Sequence, residues 1–164
     1  MPARLAAVFL LLLLAALAGP ARGSDWGLIV PGESTLESIR ARYGSPTRAE
    51  NQKVENYDAL EWVYQGAQAP PGMVRLTVSF GLLTPGGYKK DVVRTFRLDP
   101  KPGSFNKKLV VDGWGPPTRT GHEGRFEIFL YEQGLLVYFD KDGGDATMMV
   151  FTPPQALPAA PSQR

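Results

Sequence analysis

The 164-residue sequence contains no cysteine and only one histidine, His122. The lack of cysteine excludes structural disulfides, which many small exported domains use, and it excludes a lipid anchor on an N-terminal cysteine. With one histidine and no cysteine, the usual zinc sites cannot be assembled within one chain. We therefore predict a protein without a metal or other cofactor, stabilised by its hydrophobic core alone.

The first 23 residues match an export signal. Arg4 precedes an unbroken apolar run over residues 5–17, and small residues follow before the polar chain begins at Ser24. A transmembrane helix needs about 20 apolar residues, so the run is short for a membrane span. We predict a signal peptide over 1–23, with an N-terminal membrane anchor as the alternative, and a periplasmic or secreted mature protein.

The mature chain is predicted to be of one domain's length and electrically balanced. Cleavage after Ala18 and cleavage after Gly23 both fit the pattern, and Pro20 favours Gly23 because it would break the apolar helix just before that site. Removing 23 residues leaves 141, enough for a core without disulfides. The removed segment holds two of the 18 basic residues and none of the 16 acids, so 16 of each sign remain. A nucleic-acid-binding protein is therefore not expected.

Charges of opposite sign concentrate in two segments. Residues 89–108 contain seven basic and two acidic residues, whereas residues 121–150 contain six acidic and two basic residues. Such asymmetry can orient a domain against a charged surface or partner. The alternative is that both segments form ordinary solvated loops and strand edges.

One pattern occurs twice in the middle of the chain. Gly44-Ser-Pro-Thr-Arg48 recurs as Gly115-Pro-Pro-Thr-Arg119, and each copy follows a segment that begins with serine and precedes three apolar strands. This order predicts an α+β fold of two tandem helix–β-meander repeats, with the helices packed on one face of antiparallel sheet. Repeat 1 would span 24–100 and repeat 2 101–153, each with one helix and three strands. Residues 154–164, rich in proline and alanine, are predicted to form a disordered tail.

Residues 34–43 carry the signals of a helix. Ser34 is the predicted N-cap, and Glu37 three residues later completes a capping box. Gly44 is predicted to end the helix in a left-handed conformation. The residues spaced to share one helix face are Leu36, Ile39 and Tyr43.

The strands of the second repeat are apolar on both faces. Alternation places Ile128 and Leu130 on one face, and Phe129 and Tyr131 on the other. One short helix cannot cover both faces, so the remaining face is expected to meet repeat 1 or a partner. Phe129 and Tyr131 are the candidate binding residues, since large aromatic side chains commonly anchor interfaces. The alternative is that these two rings form the helix-facing core.

Three segments resemble a known family. Pro31-Gly32-Glu33-Ser34-Thr35, the helix that ends in Gly44-Ser45-Pro46, and the strand Trp62-Val63-Tyr64 resemble the SmpA/OmlA pattern. That family includes the small lipoprotein subunit of the outer-membrane β-barrel assembly machine. The tandem arrangement resembles the β-lactamase inhibitor protein, in which two such units join their sheets into one concave binding surface. The resemblance implies a fold of this kind.

The remaining polar motifs predict turns rather than chemistry. His122 stands between Gly121 and Gly124, where a mobile turn is more expected than the oriented base of a Ser-His-Asp triad. The segment 140–145 has the spacing of a truncated calcium loop, but Phe151 occupies the position that needs a bidentate glutamate. Its Asp-Gly and Gly-Gly pairs predict a hairpin turn instead. We therefore expect neither catalytic residues nor a metal site.

Three hypotheses of function follow from these observations. The first is a non-catalytic exported binding or scaffold module, with protein partners in envelope assembly in the periplasm. The alternative is a secreted proteinaceous inhibitor of a hydrolase, and a hydrolase that uses His122 is the third hypothesis. In the first two cases the partner is a protein, and nucleic acid, a lipid anchor and a transmembrane segment after processing are not expected.

Overall fold

The computed structural model describes residues 25–140 and 144–154. The predicted signal peptide and the predicted tail beyond Pro154 lie outside these residues. Within them, no helix combines the length and the apolar character that crossing a bilayer requires. The helices are α1 (Leu36–Tyr43) and α2 (Lys107–Trp114), and the strands are β1 (Arg48–Val54), β2 (Tyr57–Gln65), β3 (Met73–Thr84), β4 (Gly87–Pro100), β5 (Arg119–Glu123), β6 (Phe126–Tyr131), β7 (Leu135–Phe139) and β8 (Ala146–Phe151).

All eight described strands belong to one antiparallel sheet. Their order is β1-β2-β3-β4-β8-β7-β6-β5, so consecutive strands pair as neighbours in each half and the β4–β8 pair joins the halves. The prediction of two tandem helix–meander repeats with three strands each is therefore wrong. The chain forms a single large sheet with four strands in each half, and its two described helices have only eight residues each.

The sequence did not reveal β1 and β5 because these strands are polar. Both lie at an outer edge of the sheet, where each pairs with one neighbour only. Most of their residues are exposed, so they lack the apolar alternation that identifies a strand with one buried face. Polar and charged outer strands also discourage pairing with the edges of other sheets.

The hydrophobic core lies on one face of the sheet and runs across both halves. Phe96 of β4 and Phe151 of β8 stack with their ring centroids 4.3 Å apart, so the core is continuous at the junction. Ile39 of α1 and Val110 of α2 are buried in the same cluster. Further members from the strands are Trp62, Tyr64, Leu76, Val78, Phe80, Leu98, Phe129, Tyr131, Leu135, Val137, Phe139 and Met149.

Helix α1 starts one residue later than predicted. Thr35 is the N-cap, and its hydroxyl oxygen accepts a hydrogen bond from the Ser38 amide at 3.3 Å. The Thr35 amide in turn donates to the Ser38 hydroxyl at 3.0 Å, which completes the capping box. The predicted box of Ser34 and Glu37 is wrong because the Ser34 hydroxyl accepts instead from the Val30 amide, at 2.9 Å.

Each helix ends at a glycine that a tyrosine holds in place. Gly44 has φ 75° and ψ −157°, and Gly115 has φ 82° and ψ −175°. The positive φ agrees with the prediction for Gly44, but the extended ψ lies outside the left-handed helical region. The Tyr64 hydroxyl donates to the Gly44 carbonyl oxygen at 3.1 Å, and the Tyr131 hydroxyl donates to the Gly115 carbonyl oxygen at 3.0 Å. These bonds fix the end of each helix to an inner strand.

The Gly44→Val variant is expected to lose about 1–3 kcal/mol of unfolding free energy. A Cβ at Gly44 would meet no atom within 4 Å, so the cost is backbone strain alone. Gly121→Val is the matched control, since a Cβ there also meets open space but the backbone φ is not positive. Thermal melting followed by circular dichroism measures both variants. Equal melting temperatures for the two variants would contradict the assignment of strain to Gly44.

Alkaline pH is expected to destabilise the fold through Tyr64. Burial raises the pKa of Tyr64 from 10.0 to about 12, so between these pH values the unfolded chain loses the phenolic proton while the folded chain keeps it. The unfolding free energy therefore falls as the pH rises through this interval. Urea denaturation at a series of pH values should show a smaller fall for Tyr64→Phe than for the parent chain. An identical pH dependence in both proteins would show that Tyr64 is not the group responsible.

Candidate functional site

The face of the sheet opposite the core, here called the open face, differs in chemistry between the two halves. Strand pairing defines it, because residues that pair across neighbouring strands point to the same side. Thr77 pairs with Val63 on one side and with Arg97 on the other, and Arg97 pairs with Val150 across the junction. The side chains of the N-terminal half are mainly polar, whereas those of the C-terminal half are mainly apolar.

A depression of about 370 Å³ lies on the open face of the N-terminal half and reaches β8. We call it the arginine groove. Three guanidinium groups and three hydroxyl groups line it, and they belong to Arg48, Arg75, Arg97, Thr77, Ser79 and Thr95. Met148 and Val150 of β8 form its apolar wall, so the groove adjoins the apolar half of the face.

Two of these arginines share one carboxylate. The Arg97 Nε donates to Asp99 Oδ1 at 2.7 Å, while the Arg75 Nε lies 3.8 Å from Asp99 Oδ2, beyond hydrogen-bond distance. The Asp99 side chain is 17% exposed, whereas those of Arg75 and Arg97 are 46% and 50% exposed. Both guanidinium groups are therefore open to solvent, and together they have more donors than the carboxylate between them can accept.

The other acidic groups near the groove are also engaged. Glu50 pairs with Arg48 at 2.9 Å. Glu61, which lines the groove, accepts a hydrogen bond from the Ser79 hydroxyl at 3.1 Å. The three carboxylates of Glu50, Glu61 and Asp99 equal the three arginines in number, although only Glu61 lines the groove itself.

The open face of the C-terminal half carries a contiguous apolar patch. Strand pairing places Leu130 beside Leu136, Ile128 beside Tyr138, and Tyr138 beside Met148. Ile128 is 8% exposed, and the other members are partly exposed. The patch, called the apolar patch below, consists of Phe126, Ile128, Leu130, Leu136, Tyr138, Met148 and Val150.

Aromatic contacts organise the outer end of the apolar patch. The Phe126 and Tyr138 rings meet edge to face with centroids 6.4 Å apart, and the Arg125 guanidinium lies 5.0 Å from the Phe126 centroid. Burial, followed by the nearby Glu123 carboxylate, raises the pKa of Tyr138.

The two residues predicted to bind a partner lie on the core face instead. Phe129 is 8% exposed and meets Phe139 edge to face at 4.7 Å between centroids. Tyr131 is 5% exposed and donates its hydroxyl to the helix-ending Gly115. This placement matches the alternative in which the rings are helix-facing core. A binding role for them stays a prediction, and it would require both rings to become uncovered.

Sequence reasoning missed the arginine groove because its members come from separate strands. Arg48, Arg75 and Arg97 are brought together only by the pairing of β1 to β4, which no local pattern reveals. The basic segment 89–108 does not act as one surface either. Arg97 lines the groove, whereas Lys107 forms an ion pair with Glu127 at 2.5 Å, so the basic and acidic segments contact each other.

The residues considered for chemistry lie on an edge strand and in the connection between β7 and β8. His122 lies on the exposed edge strand β5, paired in register with Glu127. Among the described residues, no three histidine, aspartate or glutamate side chains are grouped to hold a metal. The segment 140–145 connects β7 to β8, with the Asp140 amide donating to the Asp145 carbonyl oxygen at 3.0 Å, and its residues 141–143 lie outside the described part.

Replacing Phe129 and Tyr131 together by serine is expected to lower the unfolding free energy by at least about 3 kcal/mol, because both rings are buried. The control replaces Leu136 and Tyr138 by serine on the same strand pair. These side chains are partly exposed, so the loss should be clearly smaller. Denaturant unfolding measures both double variants. A larger loss in the control would reverse the assignment of core and open faces.

Comparisons with known proteins give little support for a family assignment. No protein-family profile matches the chain, and no curated protein matches it. Among solved structures, the chain is similar to a DUF4309 family protein, YjgB, from Bacillus subtilis. The identity is 13%, the match covers 80% of this chain and 87% of that chain, and the TM-score is 0.49. A similarity this distant supports no inference about function.

Proposed function

We propose that this protein is a non-catalytic binding module that contacts a protein partner through the open face of its sheet. The observation that carries the proposal is the apolar patch, whose seven side chains adjoin one another on one side of β6, β7 and β8. Contiguous apolar side chains that stay partly exposed on one face of a domain commonly mark an interaction site.

The residue types of the apolar patch suit a protein interface. Phenylalanine, tyrosine, methionine and arginine are enriched at such interfaces, and Phe126, Tyr138, Met148 and Arg125 occur together here. A polar and charged border adjoins them in the form of the arginine groove. An apolar centre beside a polar rim is the usual anatomy of a protein-binding surface.

The outer strands favour docking on the face over docking at an edge. β5 has five residues and no apolar side chain, and β1 is largely exposed and charged. Such strands make poor templates for an added strand. We therefore place the partner over the sheet rather than beside it.

The predicted signal peptide supports a location in the periplasm or outside the cell, and we propose a role in envelope assembly. In the inhibitor hypothesis, the hydrolase would bind the same open face. The identity of the partner separates the two: an envelope assembly protein supports the first, and a soluble hydrolase that loses activity on binding supports the second.

The Leu136→Glu variant is expected to weaken partner binding at least tenfold, because it places a charge in the apolar patch. The exported protein is first used to capture and identify partners from envelope and culture extracts. The purified pair is then measured by calorimetry, since a central interface residue is worth about 2 kcal/mol or more.

Leu109→Glu serves as the control, because Leu109 is 45% exposed on α2, away from the open face. It should leave the affinity unchanged, and both variants should keep the melting temperature of the parent within a few degrees. Unchanged affinity in a folded Leu136→Glu variant would contradict a binding role for the apolar patch.

A further inference from the structure

We propose that the arginine groove binds a carboxylate of the protein partner, an aspartate or glutamate side chain that lies next to the apolar residues seated on the apolar patch. This inference rests on the proposed function and adds the chemistry that the partner must present. Two observations support it: the surplus of guanidinium donors and the continuity between groove and patch.

The donors of the groove exceed the acceptors that the chain supplies. Arg75 and Arg97 share Asp99, and only Arg97 is within hydrogen-bond distance of it. Each guanidinium has five N–H donors in a planar fork, and this fork matches the two oxygens of a carboxylate. The hydroxyls of Thr77 and Thr95 line the same depression and can donate further hydrogen bonds.

The carboxylates near the groove limit the negative charge that it can accept. The three groove arginines face three carboxylates, those of Glu50, Glu61 and Asp99, which pair with Arg48, Ser79 and Arg97 respectively. The two negative charges of a phosphate would therefore be compensated less well than the single charge of a carboxylate. A carboxylate needs only one well-directed pair of hydrogen bonds, so it fits the groove better.

The groove and the apolar patch form one continuous surface. Val150 and Met148 belong to the patch and also form the wall of the groove, and Arg97 pairs with Val150 across the β4–β8 junction. A partner whose apolar side chain sits on the patch therefore brings its neighbouring residue over Arg97. The volume of about 370 Å³ is ample for an acidic side chain.

The test uses N-acetyl-leucine as the probe, since it combines a carboxylate with an apolar side chain. Nuclear magnetic resonance of the exported protein should show saturable shifts at the amides of Thr77, Arg97 and Val150, with a dissociation constant on the order of millimolar. N-acetyl-leucinamide, which lacks the charge, should bind at least tenfold more weakly. Absence of saturable shifts, equal binding of the amide, or tighter binding of inorganic phosphate would each overturn the proposal.

Variants of Arg97 assign the effect to the groove. Arg97→Gln should abolish the shifts, and Arg97→Lys should weaken binding because it keeps the charge but loses the fork. Arg42→Gln is the control, since Arg42 is an exposed arginine on α1. Probe binding that survives Arg97→Gln, or that is lost in Arg42→Gln, would overturn the assignment to the groove.

The affinity of the variants for the captured partner distinguishes a failure of this inference from a failure of the proposed function. Loss of partner affinity in both Arg97→Gln and Leu136→Glu supports the two proposals together. Loss in Leu136→Glu alone overturns the carboxylate inference and leaves the binding face intact. If neither variant loses affinity for the partner, the proposed function is overturned, and the carboxylate inference is overturned with it.

Discussion

The pairing of β4 with β8 is the interaction on which the rest of the structure depends. It joins two four-stranded halves into one sheet, and the stacked rings of Phe96 and Phe151 carry the core across the junction. On the opposite side the same pairing sets Arg97 beside Val150, which makes the polar and apolar halves of the open face continuous. Without this pair, each half would have to bury its own short core, and no surface would combine both chemistries.

Much of the local structure could be predicted from the sequence, because local signals specify it. Helix α1 ends at Gly44 as its Gly-x-Pro sequence indicates, and the strand predicted at Trp62-Val63-Tyr64 lies within β2. The tandem-repeat architecture could not be predicted correctly. The polar strands β1 and β5 carry no apolar period, and the β4–β8 pairing joins residues about fifty positions apart through backbone hydrogen bonds. The N-cap is Thr35 rather than the predicted Ser34, because the capping box forms between Thr35 and Ser38.

For the candidate site, the sequence predicts which residues share a face of a strand but not which face is buried. Alternation correctly divided Ile128 and Leu130 from Phe129 and Tyr131, but it cannot say which side a helix covers. On the core face, the Tyr131 hydroxyl donates to the Gly115 carbonyl oxygen, as the Tyr64 hydroxyl does to that of Gly44 in the other half. The recurrence of a tyrosine after each Gly-x-Pro-Thr-Arg segment was the available signal, and it marks the core face. The sequence contains no comparable signal for the arginine groove, because only the register of the strands brings its residues together.

The outer strands have a consequence for the stoichiometry of the assemblies this protein can form. A sheet edge with free backbone groups can recruit a strand that exposes a new edge, so such contacts propagate into open-ended chains. Here the outer strands β1 and β5 carry polar and charged side chains, which disfavour such edge contacts. A partner that binds a sheet face covers it and does not create a new binding surface. Complexes built on the open face, the surface proposed for partner binding, would therefore stop at a fixed composition.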